Sequence, residues 1–180
     1  CANEVASRIA NQVEGAVSLT HNMGCGHYAF APLRPLAGLG KNPNVAAVFI
    51  VGLGCEVVSA KLLAEEIAES EKPVESILIQ EVGGTVKAIK QGVKVVKSMA
   101  RKASQLKREP FDLTNLTLGL ECGGSDATSG IAANPAVGRV ADMVVKAGGT
   151  AILAETVELI GAERVLARRA VNEKVAEEII

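Results

Sequence analysis

Aromatic side chains are nearly absent from this chain of 180 residues, which has no Trp, one Tyr and three Phe. Proteins that bind single-stranded nucleic acid stack bases on aromatic rings, so this composition disfavours that function. An excess of one charge is also absent, because 19 basic residues oppose 20 acidic ones and leave a formal net charge of −1. The sequence therefore predicts neither a nucleic-acid partner nor binding to an anionic membrane.

Long apolar runs and a secretory signal are missing as well. No run reaches the roughly 18 apolar residues of a membrane span, and no basic segment is followed by a short apolar one. The four cysteines, Cys1, Cys25, Cys55 and Cys122, form no CxxC pair. They are typical of cytosolic thiols and not of a disulfide framework, which predicts a cytoplasmic protein. Because the chain begins with Cys, we expect a piece of a longer protein.

What the chain has is aliphatic residues and glycine, in segments that alternate between strand and helix patterns. Strands are predicted at 16–20, 45–52, 74–80, 116–120 and 150–155, and helices at 3–14, within 31–44, and at 57–70, 85–107, 134–146 and 162–179. Connections this short are typical of parallel βαβ units. The sequence predicts one α/β domain over residues 1–180, with a doubly wound, mostly parallel, Rossmann-like sheet and helices on both faces.

Three of the cysteines follow predicted strands. In open parallel sheets ligands bind beyond the carboxyl ends of the strands, where Cys25, Cys55 and Cys122 would converge. Thiolates suit iron, zinc and iron–sulfur clusters, and nearby His21 and carboxylates such as Glu155 suit a mixed mononuclear site. Both kinds of site are compatible with the sequence. So is a third interpretation, in which the cysteines are ordinary buried core residues.

A glycine-rich run, GGSDATSGIAANP, comes before the predicted helix at 134–146. Backbone N–H groups at a helix N-terminus favour an anion such as a carboxylate. The candidate substrate-binding residues of this run are Gly123, Gly124, Ser125, Asp126, Ser129 and Asn134. No GxGxxG or GxxxxGK[ST] motif occurs, so nucleotide binding has no fingerprint here.

His21 lies directly after the first predicted strand and four residues before Cys25. Imidazole is both a common metal ligand and a general base near neutral pH. We therefore predict that His21 is a ligand or a base, and that its neighbour Thr20 contacts substrate.

The strings LTHNMGCGH, IVGLGCE, IQEVGGT, LGLECGGSDATSGIAANPAVGRVAD and KAGGTAILAETVELIGAERVLARRA resemble the altronate/galactarate dehydratase family, which includes sulfolactate sulfo-lyase large subunits. The resemblance extends over about residues 16–172. It implies a cytoplasmic, iron- or manganese-dependent lyase that removes water or sulfite from sugar acids and related 2-hydroxy acids. One departure is Val157, where the family commonly has Pro.

The resemblance also implies that this chain is the catalytic core of a longer protein, with a small N-terminal domain or subunit elsewhere and with homo-oligomers allowed. Fe2+, alternatively Mn2+ or an iron–sulfur cluster, is expected on some of Cys25, Cys55 and Cys122. The catalytic base is expected to be His21 or Glu155. A competing hypothesis is a non-catalytic scaffold whose site is completed by absent segments or by a partner.

Overall fold

The computed structural model describes residues 1–22, 24 and 33–180, and within it the chain forms two compact units. The N-terminal unit is Cys1–Lys107 and the C-terminal unit is Arg108–Ile180. The helices of the N-terminal unit are α1 (Ala2–Ala10), α2 (Leu33–Lys41), α3 (Ala60–Ala68) and α4 (Thr85–Ala103), and its strands are β1 (Val48–Gly52) and β2 (Val74–Leu78). The C-terminal unit contains β3 (Thr117–Leu120), α5 (Asn134–Lys146), β4 (Thr150–Leu153), α6 (Glu163–Ala167) and α7 (Glu173–Ile179).

The N-terminal unit is a parallel strand pair with helices on both faces. β1 pairs with β2 in the register Val48↔Val74 to Gly52↔Leu78, and α3 makes the crossover. Side chains of successive strand residues point to opposite faces. Phe49 and Val51 accordingly pack with the cluster of α1 and α4, whereas Ile50 packs with the cluster of α2 and α3.

Two glycines allow close packing of these layers. Gly92 of α4 is buried, and a Cβ placed there would lie 3.0 Å from Ile9 Cγ1 and 3.1 Å from Phe49 Cε1. Gly40 of α2 lies equally close to α3, because a Cβ placed on Gly40 would be 2.8 Å from Ile67 Cγ1. A side chain at either position would separate the helix from its neighbour.

The C-terminal unit is built on a second parallel pair, β3 with β4, in the register Thr117↔Thr150 to Leu120↔Leu153. The pairing continues beyond the strands, because the Ala154 amide donates to the Leu120 carbonyl at 2.8 Å. A π-helical turn, Ser129–Ala133, leads directly into α5. Every residue of 108–180 keeps at least partial solvent exposure.

The architecture confirms a mixed α/β fold with parallel strands. The described strands form two separate pairs, so the single doubly wound sheet is not confirmed. The prediction of one domain over residues 1–180 stays a prediction. Within the residues that the structure describes, no helix is both long and apolar enough to cross a bilayer.

Three element predictions are wrong. The predicted strand at 16–20 is not a strand; its Val17 is 84% exposed, and a β-strand needs a neighbour for its hydrogen bonds. The predicted terminal helix at 162–179 is two helices, because the Asn172 side chain accepts from the Val175 amide and begins α7 anew. The first helix ends at Ala10 and not near residue 14.

Candidate active site

The loop after β1 presents Cys55 at the carboxyl end of the strand. The Glu56 carboxylate lies beneath this loop, and its Oε2 accepts hydrogen bonds from the amides of Leu53 at 2.8 Å, Gly54 at 2.7 Å and Cys55 at 3.2 Å. Gly54 has φ +103°, a conformation that favours glycine. Cys55 itself is exposed. The loop is thus organised around one carboxylate, and the thiol is available to a ligand.

His21 lies in the same unit. Asn3 Nδ2 donates to the His21 carbonyl at 2.6 Å, which ties the residue to α1. Nδ1 of His21 is buried and has no hydrogen-bond partner among the described residues. A cavity of about 920 Å³ is lined by His21, by Gly52 and Leu53 at the end of β1, and by Glu56. An imidazole in this setting is chemically competent as a ligand or base.

The predictions for two residues near His21 can be compared with the structure to different extents. Thr20 is exposed beside it. Cys25 lies outside the described residues, so its role as a metal ligand stays a prediction.

In the C-terminal unit, a cluster of three side chains forms where β3 and β4 end. One ligand atom from each of Cys122, Glu155 and Glu158 lies within 4.8 Å of the others, and all three residues are exposed. Glu155 has φ +60° and ψ +64°, the left-handed conformation that costs a non-glycine residue about 1 kcal/mol or more. This reversal turns the chain so that Glu158 comes back beside Cys122. We call these three residues the Cys122 cluster.

The glycine-rich run forms a hydrogen-bonded turn next to the Cys122 cluster in sequence. The Asp126 carboxylate accepts from the Thr128 hydroxyl at 2.5 Å, the Thr128 amide at 2.7 Å and the Ser129 amide at 3.1 Å. These hydrogen bonds, that of the Thr128 hydroxyl foremost, hold the pKa of Asp126 below its ordinary value. Ser129 Oγ donates to the Gly124 carbonyl at 3.1 Å. Asp126 therefore serves as the cap of the helical segment that follows.

The remaining residues of the run have simpler positions. Ser125 Oγ lies 3.8 Å from Cys122 Sγ, and Gly123 is exposed beside them. Asn134 has helical backbone angles, φ −63° and ψ −43°, and continues directly from the π-helical turn into α5. Pro135, which has no amide hydrogen to donate, lies in the first turn of α5, where proline is tolerated.

The structure thus brings together some of the predicted residues. Cys122 and Glu155 lie in one cluster, and Gly124, Asp126 and Ser129 in one turn. Cys55 belongs to the N-terminal unit and Cys122 to the C-terminal unit, so the convergence of the thiols stays a prediction. Glu158 was missed from the sequence. Its only signal is a carboxylate three residues after Glu155, which is too common to single out.

These features define an α/β protein whose chemistry-bearing residues lie at the carboxyl ends of two parallel strand pairs. A family model described as "D-galactarate dehydratase/Altronate hydrolase, second domain" matches residues 1–104, and one described as "D-galactarate/Altronate dehydratase, C-terminal" matches residues 113–180. The chain belongs to the D-galactarate/altronate dehydratase family.

Named relatives agree with this membership. The chain is 36% identical over 178 residues to the (2R)-sulfolactate sulfo-lyase subunit beta of Chromohalobacter salexigens, covering 97% of this chain and 45% of that protein. It is 31% identical over 194 residues to the altronate dehydratase of Escherichia coli, covering 100% and 39%. It is 34% identical over 159 residues to the galactarate dehydratase (L-threo-forming) of Escherichia coli, covering 84% and 30%. The chain therefore spans less than half the length of these relatives.

Proposed function

We propose that this chain is the catalytic core of a metal-dependent lyase that eliminates water from a sugar acid such as altronate or galactarate. Family membership supports the reaction class, and the relatives named as dehydratases support the substrate class. The observation that carries the proposal is the Cys122 cluster, because it lies at the strand ends where such folds bind ligands.

The donor set of the Cys122 cluster fits a divalent transition metal. Two donor atoms on opposite sides of such an ion lie roughly 4 to 4.5 Å apart, and the three donors here lie within 4.8 Å of one another, so small side-chain movements would bring them to coordinating distances. One thiolate and two carboxylates suit Fe2+, leave positions open for substrate, and also admit Mn2+. Cys122, Glu155 and Glu158 would hold the ion, and Cys25 and Cys55 stay proposed as ligands of the same ion or of an iron–sulfur cluster.

Dehydration of a 2,3-dihydroxy acid requires removal of the proton next to the carboxylate and departure of the neighbouring hydroxyl. A bound Fe2+ would supply a Lewis acid for the developing negative charge. We assign the proton removal to His21, whose Nδ1 has no partner among the described residues, or to Glu155, which in that case would not be a ligand of the ion. Thr20 and the run formed by Gly123, Gly124, Ser125, Asp126, Ser129 and Asn134 are proposed to bind the substrate.

Asp126 constrains how that substrate lies. Its carboxylate already accepts the amides of Thr128 and Ser129, so an incoming carboxylate would be repelled there unless another group neutralised it. The exposed Gly123 to Ser125 backbone and the Ser125 hydroxyl are the better proposed contacts for an acid group. Asp126 is then the better proposed contact for substrate hydroxyl groups, which can donate to it.

The proposal also covers the sheet, the cellular location and the assembly of the complete protein. We propose that the two strand pairs belong to one doubly wound sheet in the complete protein, that this protein is cytoplasmic, and that it forms a homo-oligomer or works with a small N-terminal domain or subunit. The name of the sulfo-lyase relative, a subunit beta, supports a multi-subunit arrangement.

A second candidate is elimination of sulfite from sulfolactate. The specific observation in its favour is the 36% identity over 178 residues to the sulfo-lyase subunit beta. Both reactions need the same α-proton removal and differ in the leaving group, so substrate tests on one preparation separate them.

The test uses the complete protein, prepared without oxygen, with the variants Cys122→Ser, Glu155→Gln, Glu158→Gln and His21→Ala. Glu177→Gln on α7 is the matched control, since Glu177 is an exposed carboxylate of the same unit. We expect each change in the Cys122 cluster to weaken iron retention by at least ten- to a hundredfold, as even supporting residues of metal sites do. His21→Ala should abolish turnover and retain iron if His21 is the base.

Turnover is measured with altronate, galactarate and sulfolactate. Wild-type protein that carries no iron and is inactive on all three acids would contradict the proposed function. Iron and activity that the complete protein has and the isolated 180-residue chain lacks would support the scaffold alternative. Stoichiometric iron that survives all three changes in the Cys122 cluster would place the metal elsewhere. Full turnover by His21→Ala would exclude His21 as the base and leave Glu155.

A further inference from the structure

Glu56 is the carboxylate in the loop after β1 that the proposed chemistry does not use. It is half-buried, and one of its oxygens, Oε2, accepts from three consecutive amides, those of Leu53, Gly54 and Cys55. Three N–H groups that converge on one point form a concave anion site. Here the anion is supplied by the chain itself, from the residue directly after Cys55.

The second carboxylate oxygen lies next to Gly52, in space that a side chain at that position would need. Glu56 Oε1 lies 2.6 Å from the position that a Cβ on Gly52 would occupy, and Leu78 Cδ2 and Ala60 Cβ are 2.6 Å and 2.9 Å from the same point. The carboxylate therefore occupies space that only a glycine at position 52 leaves open. Because Gly52 has no side chain, the Glu56 carboxylate can occupy the space beside it.

We propose that Glu56 is a positioning residue that fixes the Cys55 loop, and so the Cys55 thiol, for the chemistry at the end of β1. The inference rests on the proposed function insofar as Cys55 is a metal ligand. The three hydrogen bonds that shape the loop are charge-assisted, because a carboxylate accepts them. Such hydrogen bonds are about twice as strong as those between neutral groups. Without this carboxylate, three amides would lose their acceptor and the loop would lose its shape.

The test compares Glu56→Gln with wild type and with Glu65→Gln, an exposed carboxylate of α3 in the same unit. Glu56→Gln keeps the size of the side chain and removes its charge, so a role in filling space alone would be preserved. Hydrogen exchange and chemical shifts of the Leu53, Gly54 and Cys55 amides report the loop. The alkylation rate of Cys55, read by peptide mass spectrometry at constant pH, reports the thiol.

In Glu56→Gln we expect faster exchange at all three amides and Cys55 alkylation about three- to tenfold faster, because the loop loosens. Gly52→Ala keeps the glutamate at position 56, but the new Cβ pushes its carboxylate away from the three amides. This substitution should therefore produce the same loop changes as Glu56→Gln.

Wild-type exchange and alkylation in Glu56→Gln would overturn the proposal. These measurements need no metal and no substrate, so they separate this inference from the proposed function. Loop changes as expected, in a protein whose iron content does not depend on Cys55, would keep Glu56 as the positioning residue and remove Cys55 from the ligand set.

Discussion

Gly92 offers a direct test of the packing in the N-terminal unit. An alanine at position 92 would place its Cβ 3.0 Å from Ile9 Cγ1 and 3.1 Å from Phe49 Cε1, where ordinary contacts exceed 3.4 Å. Overpacking of this kind costs about 1–3 kcal/mol. The alanine also gains about 1 kcal/mol of helix propensity over glycine. We expect Gly92→Ala to lower the free energy of unfolding by about 1 kcal/mol.

Gly38 of α2 is the matched control, because it lies inside a helix and a Cβ there has no atom of the described residues within 4 Å. Gly38→Ala should therefore stabilise the chain by up to about 1 kcal/mol. The difference between the two substitutions isolates the overpacking at Gly92. Urea unfolding followed by far-ultraviolet circular dichroism, with midpoint and slope compared, measures both.

A double variant tests which neighbour is responsible. Ile9→Val removes Cδ1, the Ile9 atom nearest to a Gly92 Cβ, and alone costs about 0.5–1.5 kcal/mol. The double variant should lose less unfolding free energy than the sum of the two single variants, by about 1 kcal/mol. If Gly92→Ala stabilised the chain as much as Gly38→Ala and showed no coupling to Ile9→Val, the close approach of α1 and α4 would be refuted.

Two further predictions concern the C-terminal unit. Because the folded pKa of Asp126 is lowered, its carboxylate stabilises the fold above the unfolded pKa of about 4, and this is lost as pH falls through the folded pKa. The melting temperature of Asp126→Asn should therefore fall less on acidification than that of wild type; equal profiles would contradict this. Glu155→Gly should raise the unfolding free energy of the metal-free chain by about 1 kcal/mol, and the complete protein with this change should retain less iron. Glu71 also has a positive φ, so Glu71→Gly should be similarly stabilising but should leave the iron content unchanged.

The parts of the fold that the sequence predicted are those with a strong local signal. β1 and β2 lie within continuous aliphatic runs, and α4 follows three- and four-residue apolar spacing over its whole length. The segment 16–20 carries the same aliphatic pattern and is not a strand. Strand formation depends on a partner distant in sequence, and composition alone does not report that partner.

The candidate site divides in the same way. Cys122 and Glu155 were predictable because each follows an apolar strand and cysteine is chemically distinctive. Glu158 joins them only through the left-handed backbone of Glu155, and a non-glycine residue gives no sign that it will adopt that conformation. Glu56 directly follows Cys55 in the sequence, but its hydrogen bonds to three amides depend on the room that Gly52 leaves.

The π-helical turn at Ser129–Ala133 has a consequence for comparing sequences within the family. A π turn is equivalent to one extra residue in an α-helix, and the wide turn absorbs that residue so that the helical residues on either side keep their rotational positions. Deleting one residue there would restore a plain helix and leave the segment before it in nearly the same orientation relative to α5, whereas one residue added to a plain α-helix rotates the preceding segment by about 100°. In an alignment, a one-residue gap at this point would therefore mark the loss of the π turn without a reorientation of the glycine-rich run.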